Sequence, residues 1–356
     1  MYSIDKTNEQ NHFMKDPFKL LIVDDSAFIR KMIASFFEGD RHVRVVGEAA
    51  NGVEALKAIG ELNPDVLTLD VNMPVMNGLA TLRKMMIQSP KPAVMFSSLT
   101  REGAAVTFDA LRYGAVDFIV KPTEDSNFEE HYGEIKWKVS LAAKVSVQSI
   151  QYIRAKPQDK PNPPQNNRGF ERVVIMGAAE GGYSALLKLI PRLRPDLPIT
   201  YLIVLYVSSQ YLDAFVQYLD RYSAVTVKRA VNGQPLEKGV CYLGSGEEYT
   251  TLHTRDGELV LHVNPAPFAS RRGSIDMMMF SVSDLLGEQT TGVILSGSGD
   301  DGGEGLEEVV RMGGRAIIQS PESCLHKDMA VSALNRCQPD YLVSDLEIAE
   351  VINRVH

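Results

Sequence analysis

The chain has little cysteine. Cys241, Cys324 and Cys337 are an odd number, and no two of them form a CxxC pair. That excludes a disulfide framework and a cysteine-built zinc site, and it fits a reducing compartment. Long apolar runs are missing, so no segment is expected to span a bilayer. Residues 1–17 hold no hydrophobic block of the secretory kind. The expected location is the cytoplasm, without membrane insertion. Positive charge is not in excess: 37 Lys and Arg stand against 45 Asp and Glu, for a net charge of −8. Such a chain has no general attraction for nucleic acid, and no nucleic-acid partner is expected. A sequence period of the length used by solenoids is also absent.

What the sequence has instead is alternation. At 356 residues it is long enough for two domains with separate cores. KLLIVDD is a short apolar run closed by two acids. SAFIRKMIASFF then places Phe28, Ile29, Met32, Ile33, Phe36 and Phe37 at helical spacing. HVRVVGEA, PDVLTLDVNMP, AVMFSSL and VDFIVKP predict four more strands. GVEALKAIGEL, LATLRKMMIQ and EGAAVTFDALRYG predict the helices between them. Five such units predict a doubly wound parallel sheet with helices on both faces, over residues 18–125. A further helix is expected over 134–153. AKPQDKPNPPQNNRGFE follows, polar and rich in proline, so residues 126–171 are expected to be a helix and a linker.

The alternation resumes over residues 172–356. RVVIMG, TYLIVLYV, VTVKRAV, GVCYLG, ELVLHV, TGVILSG and RAIIQ predict strands. SALLKLIPRL, YLDAFVQYLDRY, SIDMMMFSVSDLL and GLEEVVRMGG predict helices. The stretch 225–265 lacks helices and is expected to form antiparallel hairpins beside a mainly parallel sheet. The fold class is α/β throughout.

In the first domain the chemistry-bearing residues fall at predicted strand ends: Asp24 and Asp25 after the first, Asp70 after the third, Ser97 after the fourth, Lys121 after the fifth. Ligands of parallel sheets sit at those ends. Three converging carboxylates call for a compensating cation, and hard oxygen donors suit Mg²⁺. A carboxylate nucleophile, a cation, a lysine ammonium and a hydroxyl are the parts of phosphoryl transfer to an aspartate. Each residue alone is explained by the wetness of strand ends; the full set is not.

LIVDDS, LDVNMPVMNG, FSS and VKP resemble the receiver domain of two-component response regulators. The resemblance implies Asp70 as the phosphoacceptor. It implies Mg²⁺ held by Asp25, Asp70 and the Asn72 carbonyl, with Asp24 acting through water. Ser97 would be the switch hydroxyl, Phe118 the rotating aromatic and Lys121 the phosphate contact. A histidine kinase of the chemotaxis type would be the phosphodonor.

IMGAAEGGYSALLKLIP, IVLYVSSQYLDAF, RRGSIDMMMFSV, VILSGSGDDGGEGL and AIIQSPESC, in that order, resemble the CheB protein-glutamate methylesterase family. That family hydrolyses methyl esters of chemoreceptor glutamates with Ser, His and Asp. Its G-(A/C)-S-T-G-G turn reads Gly177 to Gly182 here, with Ala179 at the serine position and Glu180 at the threonine. Its V-Q-H-M-P stretch has Tyr206 at the histidine. Its T-G-M-G-N-D-G loop reads SGSGDDG over 296–302 and keeps Asp301. Alanine cannot attack, and a phenol is a poor base at neutral pH. Ser184 is expected to point away from the strand end. Cys324 and His326 could share a face, and Glu180 is a poor nucleophile toward esters. From these residues the second domain is expected to be a pseudoenzyme that binds chemoreceptors or another signalling protein. The alternatives are an active methylesterase or glutamine deamidase with a rearranged site, and a phosphate sink.

Overall fold

The structure, a computed structural model, describes residues 16–97, 101–121, 128–146, 153, 157, 158, 160, 169–266 and 273–354. Most of the proline-rich linker, with Pro122, Arg271 and Arg272, lies outside them. In the first domain, strands β1 (Phe18–Val23), β2 (Val43–Ala49), β3 (Val66–Asp70), β4 (Ala93–Ser97) and β5 (Asp117–Val120) form a parallel sheet ordered β2-β1-β3-β4-β5. Helices α1 (Ala27–Phe36), α2 (Gly52–Leu62), α3 (Gly78–Gln88), α4 (Arg101–Arg112) and α5 (Phe128–Ala142) connect and follow them. The strand order doubles back between β1 and β3, which brings Asp24 and Asp70 to one crevice.

Local chemistry sets the helix starts near that crevice. Ser26 Oγ accepts from the Ile29 N–H and caps α1. Asn51 caps α2, while Glu54 reaches back to the Ala50 N–H. Residue 78 must be glycine, because a Cβ there would stand 2.0 Å from the Asp70 carbonyl oxygen. That approach ties the start of α3 to the end of β3.

The helix expected over 134–153 is α5, and it ends at Ala142. The chain turns there because Ala143 and Val145 fold back into the first-domain core, whereas Ile153 pairs with the backbone of Arg112.

In the second domain, β6 (Arg172–Ala178), β7 (Ile199–Leu205), β8 (Thr226–Arg229), β9 (Val240–Ser245), β12 (Thr290–Ile294), β13 (Arg315–Gln319) and β14 (Tyr341–Val343) form a seven-stranded sheet. Its order is β14-β13-β12-β6-β7-β9-β8, and every neighbouring pair is parallel. Between β9 and β12, β10 (Glu248–Arg255) and β11 (Glu258–Pro265) make an antiparallel hairpin. Of the hairpins expected over 225–265, this one forms, while β8 and β9 run parallel. Parallel neighbours need a crossover. Here it is a loop without a helix, pinned to β11 by bonds from Gly233 N to Leu261 O, Leu236 N to Leu259 O and Leu261 N to Gln234 O.

Helices α6 (Gly182–Leu189), α7 (Ser209–Tyr222), α8 (Ser274–Leu286), α9 (Gly303–Arg311), α10 (Asp328–Arg336) and α11 (Ile348–Arg354) cover the sheet. Here the order reverses between β6 and β12, and the loops after those strands meet there. Among the described residues, no helix is long and apolar enough to cross a membrane.

Candidate functional site

At the first switch point, Asp24, Asp25 and Asp70 present ligand oxygens within 4.8 Å of one another. Asp24 and Asp70 are buried and Asp25 is exposed. The Lys121 ammonium lies 2.8 Å from both Asp24 and Asp70. Burial pushes the Asp70 carboxyl above the usual carboxylate range, against the pull of Lys121. For Lys121 burial acts against the charge, but the two carboxylates outweigh it and its pKa is raised. Asp70 also accepts from the Asn72 N–H. This set of hard oxygen donors fits a divalent cation of the Mg²⁺ kind. Ser97 is fully buried, and its hydroxyl accepts from Thr107 Oγ1 of α4 at 2.7 Å. Of the residues named from the sequence for this site, Asp24, Asp25, Asp70 and Lys121 therefore converge.

Phe118 lies outside that crevice, at the junction of the two domains. Its ring stands 5.2 Å from Tyr183 of α6 and 4.7 Å from Tyr211 of α7. Phe108 of α4 packs 4.9 Å from Phe215. Tyr218 donates to Asp109 at 2.5 Å and accepts from Arg112 at 3.0 Å. Arg112 also bonds the Ile153 carbonyl and lies 4.8 Å over the ring of Tyr222. One apolar core runs across this junction. The inter-domain side of Phe118 was not legible in the sequence.

At the second switch point a cavity of about 670 Å³ opens between the domains. The receiver side supplies His131, Glu134 and Trp137 of α5. The other wall carries Ala179, Glu180 and Tyr206, with Ser298 to Asp301 from the loop after β12. Tyr206 Oη donates to Asp301 Oδ2 at 2.5 Å. Asp301 also accepts from the Ile275 and Asp276 N–H groups that begin α8. Burial first, and the nearby Asp301 charge second, raise the Tyr206 hydroxyl well above a free phenol. Burial likewise raises the Asp276 carboxyl, with Asp301 adding to it.

Ala179, Tyr206 and Asp301, singled out together from the sequence, thus line one cavity. Glu180 joins them there, but Ser184, Cys324 and His326 do not. Ser184 is buried inside α6. Cys324 donates its thiol to the Gln319 carbonyl, and burial pushes it up to about 12. His326 is buried, which pulls its pKa down. The sequence reading passed over Ser298. Its hydroxyl donates to Glu180 Oε2 at 2.5 Å, and Glu180 is 8% exposed.

The CheB methylesterase family model matches residues 174–352, and the response regulator receiver domain model matches 20–132. The Pyrococcus horikoshii protein-glutamate methylesterase/protein-glutamine glutaminase is 36% identical over 94% of this chain and 92% of its own length. The chain belongs to the CheB methylesterase family. A relative of the same name from Halalkalibacterium halodurans is 35% identical over 96% of this chain and 99% of its own. The crystal structure of the Thermotoga maritima CheB methylesterase catalytic domain covers 52% of this chain and 98% of that one, with a TM-score of 0.50 at 24% identity, and shares the fold.

These relatives correct the expectation of a non-enzyme. Proteins about 35% identical over nearly the full chain carry the name of an esterase. The expectation inferred loss of activity from two positions. A cavity that lacks a serine at 179 and an imidazole at 206 still holds a hydroxyl against a buried carboxylate, at Ser298 and Glu180.

Proposed function

We propose that the chain is a phosphorylation-controlled hydrolase of the carboxyl esters and amides on chemoreceptor glutamyl and glutaminyl side chains, working through a rearranged site. The observation that carries this reading is direct packing. Phe118 of β5 and Phe108 of α4 lean on α6 and α7, and those helices follow the strand ends that carry Ala179 and Tyr206.

A histidine kinase of the chemotaxis type is the donor. An Asp70 oxygen attacks the phosphorus of phosphohistidine, a P–O bond forms, and the P–N bond breaks. Asp24, Asp25 and Asp70, with the Asn72 carbonyl, would hold Mg²⁺, which supplies charge neutralisation for the transferring oxygens. Lys121, already between Asp24 and Asp70, contacts the new phosphoryl group.

Ser97 spends its hydroxyl on Thr107 and Gly103 of α4 in this state. Turning to the phosphoryl group releases α4, and α4 carries Phe108, Asp109 and Arg112, the residues that hold α7. The cavity then widens toward solvent, and a receptor side chain enters from the edge lined by α5.

Methylated receptor membranes test the reading. With acetyl phosphate and Mg²⁺ the wild type should take up phosphoryl and release methanol faster. Asp70→Asn should do neither. Uptake without any methanol release would contradict it. So would output unchanged by deleting residues 172–356, the behaviour of a phosphate sink.

A further inference from the structure

We infer that Ser298 is the nucleophile of the inter-domain cavity and that Glu180 is the base that takes its proton. The inference rests on the ester- and amide-hydrolase reading of that cavity. Its foundation is a pair of contacts between residues far apart in the chain. Ser298 Oγ donates to Glu180 Oε2 at 2.5 Å, and the Ser298 N–H points to the same oxygen at 3.3 Å.

Both residues depart from the family pattern, and they depart together. Glu180 stands where the turn has threonine, and Ser298 stands where the loop has methionine. The serine hydroxyl gives the buried carboxylate a side-chain donor beside the residue 298 N–H.

The pair lies where the chemistry needs it. A Cβ on Gly297 would stand 2.8 Å from the Ala179 Cβ, so the loop bearing Ser298 runs against the position that lacks its own hydroxyl. The surrounding backbone is fixed on both sides. Ser296 Oγ donates to the Glu180 carbonyl and accepts from the His326 N–H. Gly297 N–H bonds the His326 carbonyl, and Met329 N–H bonds the Gly297 carbonyl. Gly181 holds a φ of +77°, which only glycine adopts without strain, and so fixes the turn right after Glu180. A hydroxyl held this way is pre-positioned for attack.

The reaction balances with water as the second substrate. Ser298 Oγ bonds to the carbonyl carbon of the side-chain ester, and its proton passes to Glu180. The C–OCH₃ bond breaks, and the leaving group takes that proton as methanol, or as ammonia from an amide. Water then attacks the acyl-serine with Glu180 again accepting a proton, which frees the carboxylate and restores Ser298. Glu134, Asp300 and Asp301 also line the cavity. Like charges there accept a neutral ester or amide and repel the carboxylate product.

The test is covalent labelling of the full chain with a fluorophosphonate, in acetyl phosphate and Mg²⁺, mapped by peptide mass spectrometry. The adduct should fall on Ser298 and vanish in Ser298→Ala. In Glu180→Gln its rate should drop by about 10² or more, and Glu180→Asp should restore part of it. Methanol release from methylated receptor membranes should fall by ~10⁴–10⁶ in Ser298→Ala, while its phosphoryl uptake at Asp70 stays as in wild type. An adduct elsewhere, no adduct, or undiminished methanol release in Ser298→Ala overturns the assignment. The two readings separate cleanly. An adduct on Ser298 without methanol release keeps the nucleophile and removes the receptor ester as substrate. Methanol release that ignores Ser298 keeps the substrate and removes the nucleophile.

Discussion

Single side chains at the domain junction carry strong electrostatic burdens. Asp117 opens β5, is 4% exposed, and lies 3.6 Å from Lys138. Burial pushes its carboxyl up to about 6, against the pull of Lys138. Since the folded value is above the unfolded one, its stabilising effect is complete below pH ~4 and is lost as the pH rises through about 6. Wild type should lose up to about 3 kcal/mol over that window from this group. Asp117→Asn should flatten the slope, read as the urea midpoint at pH 4, 5, 6 and 7. An identical slope would show that Asp117 titrates normally. Tyr206 makes a second prediction. Tyr206→Phe strips Asp301 of its hydroxyl donor and leaves two backbone N–H groups. The cost should be about 1–3 kcal/mol in chemical denaturation, and no loss would mean water replaces the hydroxyl.

Among elements, α4 and α7 form the joint on which control depends. Arg112 there bonds Tyr218 and the Ile153 carbonyl and stacks over Tyr222. Arg112→Ala should loosen the joint. Methanol release without acetyl phosphate should rise about tenfold or more, since one charged hydrogen bond is worth about 1.5–3 kcal/mol. Phosphoryl uptake at Asp70 should not change. Basal release that stays flat would place control elsewhere. This scale also shows what the sequence could carry. Short apolar runs set against period-3.6 helices placed Asp24, Asp70, Ser97 and Lys121 at strand ends, where the structure has them. The parallel pairing of β8 with β9 was hidden, because no helix marks the crossover and its backbone is paid off by β11 instead. Ser298 was hidden because a serine between glycines reads as a turn, and its partner is 118 residues away. Nor did any periodicity announce that Phe118 would meet Tyr183 and Tyr211, because that contact exists only once both sheets are docked.

On the scale of the whole molecule, Phe118 and helix α4 of the first domain pack on α6 and α7, and α5 faces the switch-point end of the second sheet. The acidic crevice lies at the turn between β1 and β3, and the cavity lies at the turn between β6 and β12. One apolar core joins the two domains between them. Mg²⁺ should stabilise the chain by neutralising the crowded carboxylates, seen as a melting temperature that rises with its concentration. Asp70→Asn should weaken that rise. The central claim is coupling from Asp70 to the cavity, and the most direct measurement is the rate of methanol release from methylated receptor membranes with and without acetyl phosphate and Mg²⁺. The account predicts an increase in wild type that disappears in Asp70→Asn. Equal rates for the two proteins, with phosphoryl uptake verified in wild type, would contradict it.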